Sequence, residues 1–306
     1  MFWPRPEVLL AFDPAFVAIR PDLVEALKSP TLFGNRFVWL DLPMENAPSK
    51  VLEALGKRRR PPKAIVASPL VARGLVEGAA RNGARAPGPL VALEWKSVTA
   101  AFEGPALTIT SNPVPAYRLV GQLFGGLLDD YRKGSTWSGS PAPAATAALV
   151  FVSGPSRPPE SLEAFTAGFS SATSFPPAIE IVGDEELGSG SPNVIRRLLA
   201  GDLKAILLAT GPATSEGLLL FKEPGKVIGF ASYQVKAAAA TWPAASFVIH
   251  PDDAAIAAAL RRPIKAGGQV LLEIPWRLDL LPGADSLASR ALDLGQRLFE
   301  LEKRQQ

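Results

Sequence analysis

The chain's 306 residues suit about two domains, and 47% hydrophobic residues are enough to bury a real core. With 20% charged residues and a net charge of +3, Lys and Arg nearly balance Asp and Glu, so the composition demands no nucleic-acid partner. Zero cysteines exclude disulfides, thiolate metal sites and a cysteine nucleophile.

The opening MFWPRPEVLLAF lacks the charged segment and apolar run of a signal peptide, and no stretch approaches the roughly 18 apolar residues of a membrane span. The expectation is a cytosolic protein, or one whose leader lies outside this numbering. Residues 7–12 (EVLLAF) read as a strand stopped by Asp13-Pro14, and 21–28 as a helix with Leu23, Val24 and Leu27 on one side. Strand 36–42 and helix 47–57 follow, then strand 63–68, helix 70–82 ending at Gly83, and strand 89–95. Four strand-helix repeats in the first hundred residues are the pattern of a doubly wound half.

Residues 106–112 (ALTITSN) alternate polar and apolar before Pro113 and Pro115, and read as a connection between lobes rather than a core strand. Residues 117–132 form a helix whose Gly121, Gly125 and Gly126 suit close packing at some cost in propensity, and 133–145 an exposed loop. A second set then begins: strand 147–153, helix 160–170 with Leu162, Phe165 and Phe169 facing in, strand 178–182 and helix 193–199.

The stretch 201–234 is the one around which this second half is built. Apolar strands 205–209 and 227–231 flank a turn (210–214), a helix (215–221) and a Pro224-Gly225 break. Strands apolar throughout need both faces covered, which marks a parallel sheet with right-handed crossovers. The tail adds strand 246–249, helix 252–260 with an acidic first turn, strand 269–274 and a long helix 284–303. These are too many elements to close one sheet, so the chain is expected to cross back between halves.

The fold class is therefore α/β, two doubly wound parallel-sheet lobes joined by hinge strands. The N-terminal lobe is 1–112 plus 246–268, and the C-terminal lobe 113–245 plus 269–306. Ligands bind beyond the carboxyl ends of strands in such sheets. That rule selects Phe12, Asp13 and Phe16, an aromatic-carboxylate group at the first strand's end, with Ser68, Trp95 and Asn112 at later strand ends. In the second half it selects Gly211, Ser232 and Tyr233, and Trp242 in the Ala-rich loop. Against this, Phe12 suits a core and Asp13 a turn cap, Ser68 and Asn112 satisfy turn backbone, and each Trp packs on a helix.

No GxSxG elbow, P-loop, GxGxxG or HExxH occurs, so no catalytic residue, cofactor or metal is expected. His250 is the only histidine, and Asp252 and Asp253 beside it suit helix capping. The GSGSP loop near Glu186 reads as a flexible turn before a helix, and the leucines of the final helix as packing on a lobe. Lys57-Arg58-Arg59-Arg60 sits at a helix C-terminus, where it complements the dipole before Pro61-Pro62 stops the helix, and no aromatic interleaving accompanies it.

The element order, and the segments AALVFVSGPSRPPESLEAFTAGFSSA, DLKAILLATGPATSEGLLLF and KVIGFASYQ, resemble the second lobe of type I periplasmic binding proteins. They come nearest to the basic membrane lipoprotein group that binds purine nucleosides. KAIVASPLVARGLVEGAARNG at 63–83 and the strand near Glu94 are placed like the third and fourth strands of that family's first lobe. The resemblance implies a non-enzymatic solute-binding protein, lipoprotein-like, that captures a small ring-containing ligand in an interlobe cleft. Nucleoside-like or nucleobase-like, amino-acid-like and sugar-like ligands all fit that description. It further implies an ABC permease as partner, a monomer, no nucleic acid, and a periplasmic or cell-surface location once a leader is removed.

One position departs from the family. Where its strand corresponding to 227–231 usually ends in an aspartate that binds a sugar hydroxyl, Ala231 and Ser232 stand here, which favours a less polar or differently oriented ligand. A non-transport sensor or degenerate relative, and a doubly wound enzyme with an unrecognised site, are the alternatives.

Overall fold

The computed structural model describes residues 6–28, 35–81, 89–94, 106–136, 146–153, 159–174, 178–183, 203–209, 227–231, 233, 246–262 and 270–281. The chain divides into two compact units, Met1–Asn112 with Asp252–Ile274, and Pro113–Pro251 with Pro275–Gln306. A proline stands at each of the three points where the chain passes between units: Pro113, Pro251 and Pro275.

The first unit's strands are β1 (Glu7–Ala11), β2 (Arg36–Trp39), β3 (Ala64–Ala67), β4 (Leu90–Leu93), β5 (Ala106–Asn112) and β11 (Val270–Pro275). They lie in the order β11-β5-β4-β3-β1-β2. Pairing is parallel from β2 through β5, with Val8 opposite Ala64 and Ala92 opposite Thr108. Both faces are covered, as the unbroken apolar runs require. On one side Val8, Leu10, Val66 and Val91 pack against Phe16, Leu23 and Leu27 of α1 (Pro14–Ile19) and α2 (Pro21–Lys28) and against Ile256 and Leu260. On the other, Ala11, Ile65, Ala67 and Ala92 meet α3 (Ala47–Gly56) and α4 (Pro69–Arg81) through Val51, Val71, Leu75 and Val76.

The second unit's strands are β6 (Thr146–Ser153), β7 (Ala178–Gly183), β8 (Leu203–Ala209), β9 (Val227–Ala231), β10 (Phe247–His250) and β12 (Arg277–Leu280). Their order is β12-β10-β9-β8-β6-β7, the same winding as in the first unit, with β12 antiparallel to β10. Helices α5 (Val114–Thr136) and α6 (Pro159–Ala172) cover one face through Val120, Phe124, Phe165 and Phe169. The two helices approach backbone to backbone. A Cβ on Gly121 of α5 would fall 2.1 Å from the Phe165 carbonyl oxygen, and one on Gly168 of α6 2.1 Å from that of Arg118, so these two glycines permit the contact.

The tail is shared out differently from the expected division. Residues 246–268 were expected with the N-terminal lobe, but β10 completes the second sheet, pairing Phe247 with Gly229, whose bare Cα leaves room for the Phe247 ring. Residues 269–306 were expected with the C-terminal lobe, but β11 lies beside β5 in the first sheet. Helix α7 (Asp253–Arg261) does belong to the first unit, where Asn35 Nδ2 donates to the carbonyls of Leu260 and Arg262 at 3.0 Å each. An apolar run such as FVI at 247–249 shows that two faces are covered but not which sheet covers them.

A second correction concerns 106–112, read as a connection between lobes rather than a core strand. It is an internal strand, β5, with Thr108 and Ile109 buried between β4 and β11. The polar alternation misled because the Thr108 and Thr110 side chains are themselves buried. The expected helices 193–199, 215–221 and 284–303, the turn 210–214 and the GSGSP loop lie outside the described residues.

Candidate strand-end site

In each sheet the winding reverses beside the second strand from one edge, so the crevice at the carboxyl ends of β1 and β3 is the first unit's switch point. Phe12 and Asp13 follow β1 and Ser68 follows β3, so the structure brings three of the expected residues to that crevice. Asp13 is 4% exposed and Ser68 fully buried. Asp13 Oδ1 accepts from the Phe16 backbone N–H at 3.0 Å, capping α1, and Oδ2 accepts from the Ser68 hydroxyl at 2.5 Å. The Asp13 N–H in turn donates to Ser68 Oγ at 3.3 Å. Phe12 packs on Phe16 and Trp39, with ring centroids 5.1 and 5.6 Å away, so both phenylalanines lie in the core beneath the strand ends.

One strand further along, Glu94 follows β4 with φ 55, a left-handed conformation rarely adopted outside glycine and asparagine. It is held there from three sides. Its N–H donates to the Ile109 carbonyl at 2.8 Å, its Oε2 accepts from the Ser111 N–H at 3.0 Å, and its Oε1 pairs with Arg20 Nη1 at 2.6 Å. Arg20, 1% exposed at the end of α1, also pairs with Asp253, the first residue of α7. Burial works against the guanidinium's charge, but the Glu94 and Asp253 carboxylates outweigh it and hold Arg20 above its usual range. Its guanidinium carbon lies 6.0 Å from the Phe16 ring centroid. Arg20 thus fastens the strand end, the first helix and the returning helix at one point.

Asn112, the remaining expected residue of this unit among the described ones, ends β5, with its Nδ2 donating to Glu273 Oε2 on β11 at 3.4 Å. In the second unit Tyr233, 41% exposed, stands just past β9, its ring set edge-on against Trp276 with centroids 5.2 Å apart. Ala231 at the end of β9 is 9% exposed. Trp95, Gly211, Ser232 and Trp242 lie outside the described residues.

His250 closes β10. Its Nε2 lies 3.0 Å from Asp279 Oδ2 and its Nδ1 lies 2.8 Å from the Pro251 carbonyl oxygen. The hydrogen bond with His250, and after it the one from Arg277, hold the Asp279 carboxyl below its usual range against the opposing effect of burial. Among the described residues no group of three His, Cys, Asp or Glu side chains is arranged to hold a metal, and no helix is long and apolar enough to cross a membrane.

Sequence reasoning missed Arg20 and Trp276. A lone arginine between the apolar FVAI and a proline was the available signal for the first, and an isolated Trp after a strand pattern for the second. Asp253 was read as a helix cap. That role falls to Asp252, whose Oδ1 accepts from the Ala255 N–H at 2.9 Å, leaving Asp253 for Arg20.

No family model matches the chain, and no curated protein matches it. Solved structures do. A periplasmic ribose ABC transporter protein from Conexibacter woesei is 15% identical, with 94% of this chain and 95% of that one covered and a TM-score of 0.52. An ABC transporter solute-binding protein from Aeropyrum pernix is 13% identical, with 97% and 90% covered and a TM-score of 0.56. A LacI-family protein described as a transcription repressor, from Corynebacterium glutamicum, is 13% identical, with 91% and 99% covered and a TM-score of 0.54. These likenesses give the chain the type I periplasmic-binding-protein fold. They are to binding and regulatory proteins rather than enzymes, and they do not carry the nucleoside-receptor group.

Proposed function

We propose that this chain is a non-enzymatic solute-binding protein that holds a small ring-containing ligand at the carboxyl ends of its strands and delivers it to an ABC-type permease. The observation that carries the reading is the repeated winding: two six-stranded sheets with the same strand order, each with a switch point at one end. The Conexibacter neighbour, described as a periplasmic ribose ABC transporter, and the Aeropyrum neighbour, a solute-binding protein of an ABC system, support it. Periplasmic or cell-surface residence follows from the same reading.

In the first unit Asn112 offers the ligand an amide, with Trp95 beside it on the strand-end rule; in the second Tyr233 offers an aromatic surface, with Gly211, Ser232 and Trp242 selected by the same rule. In the first unit Asp13 and Ser68 form an ordered floor at the ends of β1 and β3, with Phe12 and Phe16 packed in the core below. Asp13 is already engaged by Ser68 and Glu94 by Arg20, and Ala231 offers no carboxylate. A ligand with fewer hydroxyls than a free sugar therefore fits best, since an unmatched hydroxyl leaves a buried polar group unpaired.

The test is calorimetric titration of ligand-stripped protein against nucleobases, nucleosides, amino acids, cyclic polyols and sugars, with native mass spectrometry for a copurified molecule. Saturable binding of one class is the expected result, and indifference to every class would refute capture. Ligand sensing without transport is the second reading, favoured by the Corynebacterium neighbour. Ligand-dependent association with a permease, absent for a sensor, separates the two.

A further inference from the structure

The amino edge of the first sheet, opposite its strand-end site, carries a concentrated positive charge. Arg36 opens β2, Lys63 precedes β3, and Lys57, Arg58, Arg59 and Arg60 follow the end of α3. The starts of these elements are tied together, because the Arg36 N–H donates to the Pro6 carbonyl at 2.9 Å and the Lys63 N–H to the Glu7 carbonyl at 2.8 Å. Neighbouring strands stand about 4.8 Å apart, so Arg36 and Lys63 flank β1 within roughly 10 Å, close to one Debye length at physiological salt. Their fields add.

Two carboxylates answer these six cations. Glu7 takes Arg58 at 2.8 Å and Arg36 at 3.4 Å, and Glu53 is shared by Lys57 at 2.6 Å and Lys50 at 2.9 Å. The six cations exceed these two carboxylates by four, against an excess of three for the whole chain. Arg59, Arg60 and Lys63 are exposed, and among the described residues none has an ion-pair partner. A helix C-terminus accounts for one or two cations in its last turn, but not for Arg36 and Lys63 arriving from two separate strands.

We propose that this edge is a docking surface for an anionic lipid bilayer. A cluster of four to eight Lys and Arg side chains is the usual size of an acidic-lipid site, and a bilayer asks only that the charges face one way. A nucleic-acid reader adds amide and hydroxyl donors, or an element shaped to a groove. The residues interspersed here are Pro61, Pro62 and Asn35, the last buried with its amide on α7. β1 is five residues long, which separates this edge from the strand-end site by about 17 Å, so one end can rest on lipid while the other meets solute. The surface suits the transport reading, in which the protein works at a membrane.

The experiment is co-sedimentation of the full chain with phosphatidylcholine vesicles, with and without phosphatidylglycerol, at low and high salt. The wild type should sediment with the anionic vesicles alone and be released by salt. Arg59→Gln/Arg60→Gln/Lys63→Gln should weaken that partition about a hundredfold, and Arg59→Lys/Arg60→Lys should retain it. Equal partition by wild type and the triple variant overturns the proposal, as does binding to duplex DNA without binding to vesicles. If the triple variant does not fold, salt-insensitive binding by the wild type overturns it. No solute is present in this assay, so its failure leaves ligand capture untouched, and a failed solute titration leaves lipid docking untouched.

Discussion

Ser68 donates its hydroxyl to Asp13 Oδ2 at 2.5 Å, joining the ends of two adjacent parallel strands at the point where the first sheet's winding reverses. The crevice where ligands are met in this class of sheet is therefore floored by an internal hydrogen bond, with the other Asp13 oxygen committed to the start of α1.

Replacing Asp13 should act first on stability. Asp13→Ala removes the cap of α1 and the acceptor of a buried hydroxyl, at a cost of about 2 kcal/mol. Asp13→Asn keeps one acceptor oxygen and should cost less. Urea unfolding midpoints without ligand check both, and an unchanged midpoint for Asp13→Ala would contradict the assignment.

Arg20→Met leaves Glu94 and Asp253 facing each other without their shared cation. Breaking a buried ion pair from one side costs about 3–5 kcal/mol. The triple variant Arg20→Met/Glu94→Gln/Asp253→Asn, which removes the charges together, should recover part of the loss. A lower urea midpoint for the single than for the triple variant is the expected order.

Gly121 and Gly126 lie on the same helix, α5, but only the first is pressed against a neighbour. Gly121→Ala would press a methyl onto the Phe165 carbonyl and should cost about 3 kcal/mol or more, because backbone cannot swing aside. Gly126 has nothing within 4 Å of an added Cβ, so Gly126→Ala should stabilise by about 0.5–1 kcal/mol through helix propensity alone. Opposite shifts in melting temperature are the result to look for.

Asp279 gives the protein a directional response to acid. Its folded-state carboxyl is depressed, chiefly by the hydrogen bond with His250, so it stabilises the fold above the ordinary carboxylate range, near pH 4. That contribution is lost as pH falls through the lower folded-state value. Asp279→Asn should therefore melt earlier than wild type at neutral pH, with the difference closing at low pH. A difference that grows toward acid would have the wrong sign.

The winding of both sheets was legible because strands such as 64–67, 90–93 and 227–231 are apolar on both faces, and only a covered parallel sheet accepts that pattern. Ownership of the tail was not. β11 and β12 are separated by Trp276 alone, yet they enter different sheets, and no local preference encodes which neighbour a strand finds. At the site, Asp13 and Ser68 followed from the strand-end rule. Their mutual hydrogen bond did not, since it joins positions 55 residues apart, and the grip of Arg20 on Asp253 spans 233.

Because β11 comes from residues 270–275, a ribosome that has finished the first unit's other five strands must still make about 160 residues before the last can arrive. At ordinary elongation rates that is a wait of roughly 10–30 s, with β5 left as a bare edge throughout. A sheet assembled from the first five ribbons would have to wait out that interval. Its vulnerability to mispairing, and its need of a chaperone, should peak during synthesis of the middle of the message and vanish once the final strands emerge.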